Sequence, residues 1–286
     1  MAKLENRVVR WASRPYREGE GLHTDLFHAA ILMLEDGHEE EAVFSLIRAA
    51  ADQVTDRYVP DREIRDAILY ARLRLDGGGP AGPRWPAPEP LLRTEVIRAH
   101  PWPLAELRRN LQALPQSPGW WLERAFDPAD FVCLGYGQYT FQTAPRARAC
   151  ELSEQYSFEY VNPNAMTAEA GLTRDGTVSA HCLANTGPRR RLIIEFDAGT
   201  LAEHAACLRW LSRAMRLELV VWSGGKSLHG WFDVRGRVEE QAAAFFVEAV
   251  RVGADARLWS PCQFVRLPAG INSRTGRIQK VLYCAL

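Results

Sequence analysis

Helical spacing of apolar residues dominates the N-terminal third of the chain. The first such face, at intervals of three and four, consists of Leu26, Ala29, Ala30, Met33 and Leu34. The residues 36–38 (Asp-Gly-His) predict the end of this helix, and the acidic residues 39–41 suit the first turn of a second one. A third helix is predicted over PDREIRDAILYARLRL, with Asp61 as its N-cap. Residues 1–75 are therefore expected to form a helical accessory domain.

The helical spacing of apolar residues ends at about residue 75. Residues 76–90, DGGGPAGPRWPAPEP, contain four glycines and five prolines, a density that neither a helix nor a strand tolerates. We interpret this stretch as a linker, followed by a core over residues 91–286. In the core, 131–134 is typical of a strand, and Asp175-Gly176 predicts a hairpin turn.

Polar residues collect in the middle of the core. Five of them, close in sequence to an acidic strand, are Asn162, Asn164, Ser179, His181 and Asn185. They could line a nucleotide pocket or serve ordinary turns, and the sequence favours neither. Arg189, Arg190 and Arg191 precede the acidic strand, where they could attract phosphate or form a solvated charge run.

The C-terminal part alternates strands and helices in the order β-α-β-β-α-β, the split βαβ pattern of RRM-like folds. The predicted strands are 192–197, 218–222, 228–234, 264–267 and 280–284, and the predicted helices are 201–217 and 238–252. In that pattern the first and third strands lie side by side in the centre of an antiparallel sheet. The expected class is α+β.

Composition and charge exclude only a few classes of protein. The 35 basic and 35 acidic residues cancel, so any binding of nucleic acid has to use a local patch. No apolar run reaches the length of a membrane span, and the N-terminus lacks the apolar segment of a signal peptide. Six scattered cysteines without a CxxC pair argue against disulfides and a structural zinc site, so we expect a cytoplasmic protein.

Two acids end the first strand of the C-terminal part. Glu195 and Asp197 are two residues apart, so both side chains point to one face. Burying carboxylates beside apolar neighbours costs several kcal/mol without a partner. A divalent cation would remove that cost, and oxygen ligands favour Mg²⁺ or Mn²⁺ over zinc.

A glycine-containing loop precedes His229 on a neighbouring strand. Its residues 223–227, SGGKS, offer the hydroxyls of Ser223 and Ser227, the Lys226 ammonium and glycine amides to an anion. It is not a Walker A loop, because Val220 stands where that loop needs glycine. A simple hairpin turn remains the alternative.

Two further charged residues follow in the last third of this region. Asp255, after the second helix, could complete a cluster of three carboxylates. Arg266, in a short strand that ends at Pro268, could meet the negative charge of a triphosphate. Each signal is common alone, whereas all of them in this order within about ninety residues are rare.

The combination resembles the archaeo-eukaryotic primase (AEP) superfamily, in particular the primase-polymerases of phages, plasmids and other mobile elements. IIEFD is similar to its first motif, an acidic pair that ends a hydrophobic strand. SGGKSLHGWF, with Ser227 and His229, resembles its Ser-x-His motif, and Asp255 resembles its third, acidic motif. RLPAGIN is similar to its closing RLPG-x-N, so the resemblance covers about residues 120–286.

The resemblance implies an RRM-like unit over 192–286, packed on a small α/β unit with the site between them. It implies that Glu195, Asp197 and Asp255 are the catalytic residues and hold two divalent ions, Mg²⁺ or Mn²⁺. It also implies that Ser227 and His229 bind the phosphates of an incoming NTP or dNTP, with Ser223, Lys226 and Arg266 contributing nearby. The implied partners are a single-stranded DNA template and, in some relatives, a separate replicative helicase.

Three functions are compatible with these observations. The first is a DNA primase or DNA-directed polymerase, a nucleotidyltransferase that makes primers or extends DNA during replication, including that of a mobile element. The second is a non-catalytic RRM-like module for single-stranded nucleic acid. RNA-binding modules of that kind carry exposed aromatic residues on their central strands, whereas these strands carry Glu195, Asp197 and His229. The third is a metal-dependent nuclease, since acidic clusters also serve hydrolysis.

Overall fold

The computed structural model describes residues 22–54, 59–75, 85–107, 117–137, 140–173 and 176–286. Its contacts divide the chain into two compact units, Met1–Arg84 and Trp85–Leu286. None of the helices in the described ranges combines the length and apolar character that crossing a bilayer requires.

Three helices form the described part of the first unit: α1 (Leu22–Glu35), α2 (Glu40–Val54) and α3 (Asp61–Leu75). The helix end predicted at 36–38 is confirmed. There Gly37 has a φ of 86°, its N–H donates to the carbonyl of Leu34, and the N–H of His38 donates to that of Met33. Glycine suits this position because left-handed backbone carries a steric penalty for residues with a Cβ. All five residues of the predicted apolar face are buried.

The second unit begins before residue 91. Trp85 packs edge-on against Phe246 and Trp259, at centroid distances of 4.8 and 5.0 Å, and Glu89 pairs with Arg251. Residues 85–90, expected in the linker, therefore belong to the second unit, and residues 76–84 lie outside the described ranges.

In chain order the second unit contains α4 (Pro90–Ala99), α5 (Leu104–Leu107), α6 (Pro118–Ala125), β1 (Phe131–Gly135), β2 (Phe141–Pro145), α7 (Arg146–Gln155), β3 (Tyr160–Val161), β4 (Gly171–Leu172), β5 (Val178–Ser179), β6 (Arg191–Glu195), α8 (Leu201–Leu211), β7 (Leu217–Trp222), β8 (Leu228–Asp233), α9 (Glu239–Arg251), β9 (Val265–Arg266), β10 (Ile271–Asn272), β11 (Arg277–Ile278) and β12 (Val281–Cys284). The unit is thus a mixed α+β structure, as predicted. The strands β4 and β5 pair as the hairpin expected around Gly176, although Asp175 itself lies outside the described residues.

Two four-stranded antiparallel sheets organise these elements, in the orders β2-β1-β3-β9 and β12-β7-β8-β6. In the second sheet the first and third strands, β6 and β8, pair as predicted. However, β6 lies at the edge and β7 in the centre, because β12 pairs with β7. The strand order therefore departs from the split βαβ expectation.

The segment predicted as a strand at 264–267 also differs from expectation. It forms β9 in the first sheet, where it pairs with β3, and the chain returns to the second sheet only as β12. The C-terminal segment therefore runs through both sheets. A continuous apolar core unites them, and its largest fully buried side chains include Trp121, Phe158, Phe196, Trp231, Phe232 and Phe246.

The three consecutive arginines before β6 have structural partners. Arg189 pairs with Glu239, Arg190 pairs with Asp127 and Asp130, and Arg191 donates to Glu218 at 2.8 Å. Arg191 and Glu218 are both almost completely buried. These guanidiniums therefore tie elements of the unit together, and form neither a solvated charge run nor a free phosphate patch.

Candidate functional site

The acidic edge strand β6 delivers the first two predicted acids. Glu195 is its last residue and is largely buried, with 20% of its side chain exposed. Phe196 is fully buried, and Asp197 follows beyond the strand with 59% of its side chain exposed. The Glu195 and Asp197 carboxylates therefore lie on either side of a core residue in the chain. The Glu195 carboxylate is largely buried, and the Asp197 carboxylate is exposed to solvent.

The third predicted acid lies beside them. The segment after α9 bridges back to β6, where Ala254 pairs with Phe196 and the N–H of Asp255 donates to the carbonyl of Glu195 at 2.9 Å. The Asp255 side chain also accepts from the N–H of Arg257 and caps a 3₁₀ turn over 256–259. Acids sixty residues apart in sequence thus meet at one end of the second sheet.

A cation that the sequence analysis missed lies between two of these acids. Arg257 Nη2 lies 2.8 Å from Asp255 Oδ2 and 3.4 Å from Asp197 Oδ2. Its hydrogen bond to Asp255 outweighs partial burial and raises the pKa of the guanidinium. The side chain is 76% exposed, so solvent screens both contacts. The only sequence signal was its position two residues after Asp255.

His229 faces Glu195 directly across the β6–β8 pairing. The ring is almost completely buried, and its Nε2 lies 3.4 Å from Glu195 Oε1. Neither ring nitrogen has a hydrogen-bond partner among the described residues. Unpaired buried polar atoms are uncommon because each costs the energy of a lost hydrogen bond.

Ser227 and Ser223 extend this arrangement. The Ser227 hydroxyl donates to Glu195 Oε1 at 2.6 Å and lies 3.1 Å from the Ser223 hydroxyl. Burial is the largest influence on Glu195 and would raise its pKa. The neighbouring His229, Ser227 and Lys226 together outweigh burial and lower the pKa of Glu195 to about 2. Glu195 is therefore ionised at neutral pH.

The loop 223–227 is a strand connection between β7 and β8, as its hairpin interpretation anticipated. Gly224 has a φ of 75°, and the N–H groups of Gly225 and Ser227 both donate to the Ser223 hydroxyl. These amides are therefore satisfied within the turn. Lys226 donates to the carbonyl of Asp197 at 3.0 Å, which places its ammonium at the acids.

Arg266 has a different neighbourhood. In β9 of the first sheet, its guanidinium forms an ion pair with the buried Glu159 and lies over the ring of Tyr160 at 4.7 Å. Burial, and secondarily the charge of Arg274, lowers its pKa to about 10. The structure therefore does not bring Arg266 into the acid cluster, because Glu159, far away in sequence, occupies it.

The polar residues of the middle segment serve turns and packing. Asn164 accepts from the N–H groups of Arg190 and Arg191, Asn185 accepts from the N–H of Cys182, and His181 stacks on Phe264 at 3.9 Å. Of the two alternatives left open by the sequence, the structure favours ordinary turns for these groups.

The donor set agrees with a hard divalent cation in type, since it consists of three carboxylates. The backbone of Asp255 bonds to that of Glu195, and Arg257 joins Asp255 to Asp197. Within the described residues, however, no group of three His, Cys, Asp or Glu side chains is positioned to hold a metal ion as it stands. Arg257 supplies positive charge between Asp197 and Asp255 instead. A divalent ion would have to displace this guanidinium.

The similarity of this chain to known proteins is limited. No protein-family model matches the chain, and no curated protein matches it. Among solved structures, the AEP domain of the cyanophage S-2L primase-polymerase is similar over 58% of this chain and 86% of that domain, with 19% identity and a TM-score of 0.39.

Proposed function

We propose that this chain is a template-directed nucleotidyltransferase, a primase or primase-polymerase, whose site lies around Glu195. The observation that carries the proposal is the proximity of Glu195, Asp197 and Asp255 to one another and to a buried His229 whose Nδ1 has no hydrogen-bond partner among the described residues. Three acids and an available imidazole at one end of a sheet suit a triphosphate accompanied by divalent ions better than they suit a fold-stabilising cluster.

In this proposal Glu195, Asp197 and Asp255 hold Mg²⁺ or Mn²⁺. Bound there, the ions would lower the pKa of an attacking 3′-hydroxyl and neutralise the departing pyrophosphate. Ser227 holds the Glu195 carboxylate in one orientation through its 2.6 Å hydrogen bond, and Ser223 supports Ser227.

The cations of the site are assigned to the nucleotide phosphates. His229 Nδ1 has no hydrogen-bond partner among the described residues and can donate to a phosphate, whereas Nε2 lies 3.4 Å from Glu195 Oε1. Lys226 is 72% exposed and lies 3.7 Å from Asp197 Oδ1, so its ammonium can turn to a phosphate when the acids hold ions. Arg266 is not assigned to the phosphates, because its guanidinium is bound to Glu159 in the first sheet.

The test is incorporation of labelled NTPs and dNTPs on a primed and an unprimed single-stranded DNA template with Mg²⁺ or Mn²⁺. Asp197→Ala should abolish incorporation. Glu151→Ala is the matched control, because Glu151 is an acid of similar exposure, 61%, that pairs with the exposed Arg148 within α7. Both variants should fold, as judged by circular dichroism and thermal melting.

Three outcomes would refute the proposal. One is absence of incorporation by the unaltered protein with either ion, and another is unchanged incorporation by Asp197→Ala. The third is shortening of the strands without added nucleotides, which would assign the same acids to a nuclease.

A further inference from the structure

The hairpin formed by β10 and β11 displays a concentration of unpaired positive charge. The segment 271–280, INSRTGRIQK, contains three basic residues and no acid. Arg274, Arg277 and Lys280 are all exposed. No ion pair joins any of them to a carboxylate within the described part of the chain, whereas Arg189, Arg190 and Arg191 all have such partners.

Two exposed apolar side chains accompany these cations. Ile271 and Ile278 are direct partners in the β10–β11 pairing and are 40% and 45% exposed. Cationic side chains beside an exposed apolar pair complement a strand that alternates phosphates with the flat faces of bases. An ordinary solvated turn does not require the isoleucine pair.

The hairpin is fastened to the loop that carries Ser227. The buried Asn272 donates to the carbonyl of Ser223 at 2.7 Å, and the Thr275 hydroxyl donates to the carbonyl of Gly224 at 3.0 Å. Contact is so close that a Cβ on Gly224 would lie 3.1 Å from the Arg277 carbonyl oxygen. Asn272 also shapes the turn, because its Oδ1 accepts from the N–H of Arg274.

The opposite side of the hairpin reaches the first sheet. The Ser273 hydroxyl donates to Glu159 Oε2 at 2.5 Å, and Glu159 forms the ion pair with Arg266. On the side of the second sheet, Ser223, whose carbonyl binds Asn272, contacts the Ser227 hydroxyl that donates to Glu195. The hairpin therefore lies where the two sheets meet, next to the acids.

We propose that the basic hairpin, residues 271–280, binds the sugar–phosphate backbone of a single nucleic-acid strand and aligns it with the site at Glu195. This inference rests on the proposed function for the identity of the strand. It goes beyond that function by assigning the strand contact to Arg274, Arg277 and Lys280, with the Asn272 bond to Ser223 as the connection to the loop.

The experiment measures strand binding without turnover. Fluorescence anisotropy of labelled oligo-dT and oligo-U is recorded in EDTA, without nucleotides, at several salt concentrations. Each phosphate contact with a single strand contributes about 0.7 to the slope of log affinity against log salt. Replacing Arg274, Arg277 and Lys280 by glutamine should therefore reduce that slope by about 2 and weaken binding at low salt at least about tenfold.

The matched control replaces three other exposed arginines by glutamine. Arg209 is in the last turn of α8, and Arg213 and Arg216 lie between α8 and β7, before the end of β7 that is opposite the loop 223–227. This control changes the net charge equally and should leave the slope within about 0.7 of that of the unaltered protein. If the hairpin triple variant does not fold, the single variants Arg274→Gln and Lys280→Gln should each lower the slope by about 0.7.

The proposal is overturned if the hairpin variants keep the original slope, or if the control loses as much affinity. Loss of binding to a fluorescent nucleoside triphosphate with retained strand binding would also overturn it, by assigning the cations to the nucleotide. Stronger binding of one oligonucleotide identifies DNA or RNA as the strand. Failure of the proposed function is distinct, because strands would then bind through the hairpin but no nucleotide would be incorporated.

Discussion

Replacing Arg257 by glutamine should tighten the binding of Mn²⁺ at the acids. In the structure the Arg257 guanidinium bridges Asp255 at 2.8 Å and Asp197 at 3.4 Å, in the place where positive charge from an ion would act. An incoming cation has to break both contacts. The free energy of these contacts therefore reduces the free energy of binding the ion. Glutamine keeps much of the side-chain length and removes the charge.

The size of the expected gain in Mn²⁺ affinity depends on how far the Arg257 guanidinium is exposed to solvent. Coulomb's law in water gives roughly 1.5 and 1.2 kcal/mol for unit charges at these separations. Because the guanidinium is 76% exposed, each pair contributes only about 0.2–1 kcal/mol after entropy and screening are counted. A total of about 0.4–2 kcal/mol corresponds to Mn²⁺ binding about two- to thirty-fold tighter in Arg257→Gln.

The measurement is titration of Mn²⁺, with free ion followed by electron paramagnetic resonance at constant ionic strength. Arg251→Gln is a matched control, since Arg251 also bridges two acids, Glu89 and Glu248, and should leave Mn²⁺ affinity unchanged. Adding Asp197→Asn to Arg257→Gln should remove the gain. Affinity in Arg257→Gln equal to or weaker than that of the unaltered protein would show that the guanidinium does not compete with the ion.

Two further predictions concern stability. Glu218→Ala leaves the buried Arg191 without its carboxylate and should destabilise the fold by about 3–5 kcal/mol in urea denaturation. The control Glu151→Ala, which breaks a pair exposed on both sides, should cost less than about 1 kcal/mol. A loss below about 1 kcal/mol in Glu218→Ala would contradict the structural role of the buried pair. Burial, with a smaller contribution from Arg93, lowers the pKa of His204 below its ordinary value of 6.5, although its contact with the Ala198 carbonyl and the charges of Glu195 and Glu203 act in the opposite direction. The unfolded chain therefore binds the proton more readily, so the stability that neutral His204 provides is complete above pH 6.5 and is lost as the pH falls from there toward the folded-state value. His204→Phe should flatten the dependence of melting temperature on pH between 7 and 5, and an unchanged slope would exclude His204 as its source.

Local patterns predicted many of the elements and the principal acids. The spacing of Leu26, Ala29 and Met33 was sufficient for α1, and Gly37 for its end, because both depend on contacts within a turn or two of helix. Glu195 at the end of an apolar strand was visible for the same reason. The pairing of β6 with β8 followed from the order of strands and helices.

Only the tertiary structure decided which partners the charged groups have. Arg266 pairs with Glu159, Arg191 with Glu218, and Arg257 reaches Asp197, all through contacts between residues distant in sequence. A sequence pattern records which side of a strand or helix a residue occupies, but not which of several opposite charges will be closest after packing. The edge position of β6 was likewise decided by contacts between distant segments. It depends on β12 pairing with β7 after the chain has passed through the other sheet. Periodicity is a short-range property, whereas strand order and ion pairing result from competition among distant segments for the same contacts.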